Sequence, residues 1–203
     1  LSKYCGPNDI ITPLAPEDEE KRKKLGYRGP QNYKIPLKKY SALDFLKILF
    51  RRKWLSFKNH NSASYIKKYM DPAVWNSYFK FCFERNPWDK VVSFYYYKNK
   101  IEKYPSITDF IRSKDIYRIK GCELYTCSSG IIVDEVFKYE HLEDSIEKLS
   151  KHLGLKEKLY LPQAKTNYRT DRRSYREILS QKDRELIAKK FAKEIALLNY
   201  SDL

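Results

Sequence analysis

Arg85 and Ser93, eight residues apart, are the pair in this chain whose types and spacing could hold a phosphate. A guanidinium is charged at every physiological pH and presents a rigid fork of donors, while a hydroxyl adds a neutral donor beside it. The segment that carries them shows how they would be positioned. Phe79, Phe81 and Phe83 alternate with Lys80 and Cys82, the period of a strand. Asn86 can cap a helix, Pro87 suits the first helical position and Asp89 complements the positive helix end. Trp88, Val91, Val92 and Tyr95 then share one apolar helical face. A buried strand therefore delivers an arginine to a helix N-terminus, whose unsatisfied N–H groups favour anions.

The remaining chain reads as alternating helices and short strands. Pro16 to Leu25 is a predicted helix, acidic in its first turn, basic in its last and stopped by Gly26. Ser41 to Arg51 is another, with Asp44 three residues after the Ser41 cap; it is apolar on most sides and is expected to be buried. Helices are also expected after Asn61 or Ser62 and from Ser106 through Ile111, and the Cys122 to Tyr139 region as a hairpin or turn leading into a strand. Leu142, Ile146, Leu149 and Leu153 mark one helical face, and Ser180 opens a final helix with Ile187, Phe191, Ile195 and Leu198 inward. Strands alternating with helices point to an α/β fold, a parallel sheet flanked by helices on both faces, with ligand at the carboxyl ends of the strands.

Composition sets the bounds. The chain has 203 residues, 42% apolar and 15% aromatic, enough for one domain with a core. No run reaches the ~20 apolar residues that span a bilayer. A formal charge of +15 suits an anionic partner, although solvated lysine faces alone account for much of it. Cys122 and Cys127 are close enough in sequence to bridge in an oxidising compartment; Cys5 and Cys82 stand alone. His60, His141 and His152 are isolated from the cysteines, so no zinc spacing is present and no metal is expected.

Arg85-Asn86-Pro87 followed by Ser93 resembles the 3′-phosphate-binding strand and helix of the sulfotransferases that use 3′-phosphoadenosine 5′-phosphosulfate (PAPS) as donor. The run Phe-x-Arg-Asn-Pro-Trp-Asp-Lys-Val-Val-Ser-x-Tyr-Tyr is similar to their carbohydrate branch, which includes heparan sulfate 2-O- and chondroitin 4-O-sulfotransferases and bacterial relatives. Ile131 to Asp144 resembles the family's strand ending in an Arg/Lys-x-Glu-x-Leu turn. The Cys5 to Leu14 and Pro16 to Glu19 segments resemble a bacterial subgroup. One departure is plain. The Lys-Thr-Gly-Gly-Thr-Ser-like loop that cradles the 5′-phosphosulfate is missing, and the six glycines are scattered.

The resemblance implies a P-loop-nucleotide-hydrolase-like sulfotransferase fold as a single domain over 1–203, with a first strand and phosphosulfate loop expected before Leu1. It implies transfer of a sulfuryl group from PAPS to a hydroxyl or amine of a glycan or small polar acceptor, without a metal, and a cytoplasmic location if the source is bacterial or viral. Arg85 and Ser93 would bind the 3′-phosphate. Lys165 and Arg169 would join them from the basic loop Gln163 to Arg173, for which a solvated basic loop is an equal alternative. His60 corresponds to a histidine that serves as base in the 2-O-sulfotransferases; an imidazole, titrating near ~6.5 when unperturbed, suits proton removal. The Glu17 to Glu20 carboxylates are the rival base. Trp88 and Tyr95 to Tyr97 read mainly as packing, with adenine stacking as the alternative. Two other classes fit less well: a kinase-type nucleotide-binding protein has no visible phosphate loop or Asp pair for Mg²⁺, and for a nucleic-acid module the charges are dispersed and no binding signature is present.

Overall fold

A computed structural model describes residues 1–52, 54–98, 103–157, 159 and 169–202. The chain packs as two compact units, one of residues 1–78 with 126–132 and one of residues 79–125 with 133–203.

The first unit holds α1 (Pro16–Lys24), α2 (Ala42–Arg51), α3 (Ala63–Tyr69), α4 (Pro72–Ser77) and the antiparallel hairpin of β2 (Thr126–Cys127) and β3 (Gly130–Ile131). Local chemistry explains the helix ends. Gly26 takes φ +67 just after α1, the left-handed conformation that glycine adopts without steric cost. Ser41 and Asp44 form a reciprocal capping box on α2, and Ser62 and Asp71 cap α3 and α4 with their side chains. Ile35, Phe57 and Tyr69 form the buried cluster, with Tyr33, Tyr40, Leu55, Tyr65 and Ile66 packed around them.

The expected burial of the Ser41 to Arg51 helix is corrected. Leu43, Phe45, Leu46, Leu49 and Phe50 are exposed, whereas Asp44 is buried. The polar edge faces inward because Asp44 is held there by Ser41 Oγ at 2.7 Å and Lys68 Nζ at 3.4 Å.

The second unit is built on a parallel pair, β1 (Phe81–Glu84) beside β4 (Glu135–Lys138), in the register Phe81 to Glu135 through Glu84 to Lys138. The phenylalanine alternation does what its period predicts: Phe81 and Phe83 pack with Phe137 against Ile146 and Leu149 of α7 (Leu142–His152). Leu153, expected on that face, is exposed. After β1 comes α5 (Pro87–Lys98), whose Trp88, Val91 and Val92 enter a core shared with Phe110 and Ile111 of α6 (Ile107–Arg112). Short α8 (Tyr175–Ile178) contributes Tyr175 and Ile178, and α9 (Gln181–Lys190) contributes Ile187.

The expected single C-terminal helix is two. Phe191, at φ −103 and ψ 25, breaks α9 from α10 (Ala192–Leu198) while remaining buried at the joint. Among the described residues the strands are short and helix dominates; the parallel alignment is seen in the pair β1–β4. No described helix is long and apolar enough to cross a membrane.

Candidate anion-binding site

The site is assembled where β1 runs into α5. Asn86 caps the helix, its Oδ1 accepting from the Trp88 and Asp89 N–H groups at 3.1 and 3.3 Å. Two acids fix the backbone around it. Glu140 Oε1 accepts from the Asn86 N–H at 2.6 Å, and its other oxygen accepts from the Tyr200 hydroxyl at 3.1 Å. Glu84, buried, accepts from the Arg85 N–H at 3.0 Å and from Lys90 Nζ at 2.6 Å.

Arg85 leaves the end of β1 and turns along the first turn of α5. Its Nε donates to Asp89 Oδ2 at 2.6 Å, its Nη2 pairs with the same oxygen, and the guanidinium lies 4.9 Å from the Tyr139 ring centre. The other Asp89 oxygen is taken by Arg169, from Nη1 at 2.7 Å. Arg169 is anchored in turn, donating from Nε to the Asp171 carbonyl at 2.8 Å and from Nη2 to the Arg173 carbonyl. Two guanidinium groups thus converge on one carboxylate at a helix N-terminus, each only partly exposed (26% and 17%). Such an arrangement can take a phosphate or sulfate in bidentate fashion if the anion exchanges with Asp89.

The expected ligands Arg85, Ser93 and Arg169 all belong to the second unit. Ser93 is half-buried in the second turn of α5. Lys165 lies outside the described residues. Trp88 is core: its indole N–H donates to the Arg184 carbonyl at 2.9 Å and its ring stacks on Tyr175.

His60 belongs to the first unit, exposed in a turn before α3 with φ 60. The residues just before it, Phe57, Lys58 and Asn59, line a cleft of about 450 Å³ with Pro13, Leu14, Ala15, Tyr33 and Ser56. Of the rival carboxylates, Glu19 is engaged by the Leu14 N–H at 2.6 Å and by Arg22 at 3.0 Å, and Glu20 pairs with Lys24 at 2.8 Å. His152 sits against the Phe79 ring, and His141 precedes α7.

All four cysteines are free. Burial, reinforced by Glu84, pushes the Cys82 thiol up to about 12, and burial also raises Cys122. Cys127 is lowered by its contact with the Ser129 hydroxyl at 3.0 Å. Cys122, Glu123 and Glu194 lie close together in the second unit, and backbone donors account for the carboxylates: Gly121 N–H to Glu123 Oε2 and Cys122 N–H to Glu194 Oε1, both at 2.9 Å. A Cβ on Gly121 would stand 1.8 Å from Glu194 Oε1, so a side chain there would require Glu194 to move and would disturb its bond from the Cys122 N–H.

Sequence reasoning assigned Asp89 to the helix dipole and missed its role as the shared carboxylate. The Arg85 to Asp89 spacing of one helical turn was the available signal; nothing local in the sequence foretells Arg169 on the other oxygen.

A protein of Archaeoglobus fulgidus described as an uncharacterized protein is 37% identical to this chain over 99 residues, which cover 46% of this chain and 82% of that protein. The chain belongs to the same family as that archaeal protein. No family model matches the chain, and no solved structure matches it.

Proposed function

We propose that this chain is a PAPS-dependent sulfotransferase domain whose 3′-phosphate site is formed by Arg85, Ser93 and Arg169. The observation that carries the reading is the convergence of Arg85 and Arg169, from separate segments of the sequence, on Asp89. The parallel pair β1–β4, with Arg85 just past the carboxyl end of β1, is read as part of the sulfotransferase sheet, because open α/β sheets bind ligands at that end.

In the proposed reaction an acceptor oxygen attacks the sulfur of PAPS in line. The new S–O bond forms as the bond from sulfur to the phosphate oxygen breaks, and adenosine 3′,5′-bisphosphate leaves. Arginines and the α5 N-terminus neutralise phosphate charge, which is the contribution that such transfers need most from a protein. The acceptor proton passes to His60, the base in this reading.

Titration calorimetry with adenosine 3′,5′-bisphosphate, ATP and a short oligonucleotide tests the assignment. Saturable binding of the bisphosphate in preference to the other two is expected. Tighter binding of ATP would favour a kinase-type protein, and tighter binding of the oligonucleotide a nucleic-acid module; either result removes the sulfotransferase reading.

A further inference from the structure

Helix α2 is inside out. Its one acid, Asp44, is 1% exposed and is tied to Ser41 and Lys68, while Leu49 and Phe50 are 74% and 82% exposed. At 100° per residue Leu43, Leu46 and Phe50 fall beside Phe45 and Leu49, so these side chains make one continuous apolar face rather than scattered exposures. Trp54, two residues past the Arg52 cap, is 63% exposed as well.

The charge around this face says what kind of surface would cover it. Between Leu37 and Lys58 the sequence carries seven lysines and arginines, and Asp44, buried, is the single acid. Lys38, Lys47, Arg52 and Lys58 are exposed. An apolar protein groove would match the leucines and phenylalanines but leave the positive charge unanswered. An anionic lipid surface answers both: the acyl boundary takes the apolar face, the headgroups take the cations, and a tryptophan suits the boundary between them. A helix of 10 residues is far too short to span a bilayer and can only lie along one.

We propose that α2 and the adjoining Trp54 dock this protein on anionic lipid bilayers. This inference is independent of the sulfotransferase reading, since it uses no residue of the anion site.

The test is co-sedimentation of the full chain with vesicles of phosphatidylcholine containing phosphatidylserine, against vesicles of phosphatidylcholine alone. Pelleting with the anionic vesicles, reduced by added salt, is expected. Trp75 and Trp88 are 9% and 3% exposed, so a blue shift of tryptophan emission on binding should come from Trp54 and vanish in Trp54→Phe. Leu49→Ser with Phe50→Ser should weaken partitioning at least about tenfold while the far-ultraviolet spectrum and melting temperature stay unchanged, because both side chains face solvent. Should that variant not fold, Lys38→Glu with Arg52→Glu provides the same reading through charge. No pelleting with anionic vesicles, equal pelleting with both vesicle types, or full retention of binding in the folded variants would overturn the proposal. So would a dimer in sedimentation velocity that the Leu49→Ser and Phe50→Ser changes abolish, since a second copy would then be the occupant.

Discussion

Arg169 reaches across 80 residues of sequence to put its Nη1 2.7 Å from Asp89 Oδ1. This contact ties the segment before α8 to the first turn of α5. Because Arg85 holds the other oxygen of the same carboxylate, Asp89 sets the spacing of two guanidinium groups. Both arginines donate to a carboxylate that is itself anchored to the helix, so an incoming dianion meets donors already oriented and competes with one side chain for them.

Arg85→Ala should therefore cost most of the affinity for adenosine 3′,5′-bisphosphate. Losing a charge-assisted contact of about 1.5–3 kcal/mol corresponds to roughly ten- to more than hundredfold in Kd. Ser93→Ala removes a neutral donor and should cost about 0.5–1.5 kcal/mol. Calorimetric titration of both variants checks the order; wild-type affinity in both would remove this site from donor binding.

Arg169 separates charge from geometry. Arg169→Lys keeps the charge but loses the fork that reaches Asp89 and the Asp171 and Arg173 carbonyls together. Bisphosphate affinity should fall in the order wild type, Lys variant, Ala variant, and limited proteolysis should cut faster around Arg169 to Arg173 in both variants. A Lys variant that binds as wild type would reduce Arg169 to a point charge.

Much of the frame was legible because it is written in local chemistry. The Ser41 and Asp44 capping box, Gly26 after α1 and the Asn86-Pro87 start of α5 each need only a few neighbouring residues. The phenylalanine alternation of β1 was legible for the same reason. What failed were statements about partners. Periodicity gives α2 an apolar stripe without saying which side is packed, and the Lys68 contact to Asp44 comes from 24 residues away. The break at Phe191 was hidden because its apolar spacing continues through the joint between α9 and α10. The site divides in the same way: Arg85 and Ser93 sit in one contiguous motif, whereas Arg169 on Asp89 is a tertiary contact.

The thiols should react in an order set by their surroundings. With Cys82 pushed up to about 12, its thiolate fraction at pH 8 is about one part in ten thousand, and nucleophilic labelling follows the thiolate. Cys127 is lowered by Ser129, and unlike Cys122 it is not buried. Maleimide labelling of the native chain followed by peptide mass mapping should modify Cys127 well before Cys82 or Cys122. Faster modification of Cys82 would contradict its placement in β1.

Acid should destabilise the fold over a defined range. Lys103 and Tyr104 hold Asp115 down from 3.8 to about 2, and Arg173 does the same for Asp171. A carboxyl depressed in the folded state contributes stability that is fully present above its unfolded value and lost as pH falls through the folded one. The melting temperature should thus be unaffected by these groups above about pH 5 and should drop from there toward pH 2. Asp115→Asn should melt lower than wild type near neutrality, with the gap closing as pH approaches 2. A gap that persists unchanged at pH 2 would mean that the Asp115 ion pair is not its source.

His60 belongs to the first unit, and its variant separates chemistry from binding. It is exposed, stands at positive φ and directly follows residues that line the cleft beside Phe57. If it takes the acceptor proton, His60→Ala should lower kcat by roughly two to four powers of ten, the usual contribution of a positioned general base. Bisphosphate affinity should not change, because Arg85, Ser93 and Arg169 are untouched. Since alanine is also strained at positive φ, His60→Asn is the better comparator: it tolerates that backbone but cannot serve as a base at neutral pH. Equal loss of turnover in the Ala and Asn variants, with melting temperature restored only in Asn, is the expected result. Full turnover in His60→Asn would shift the proton to the Glu17 to Glu20 carboxylates. A parallel collapse of bisphosphate binding and turnover would make His60 a donor ligand or a structural residue and end its assignment as the base.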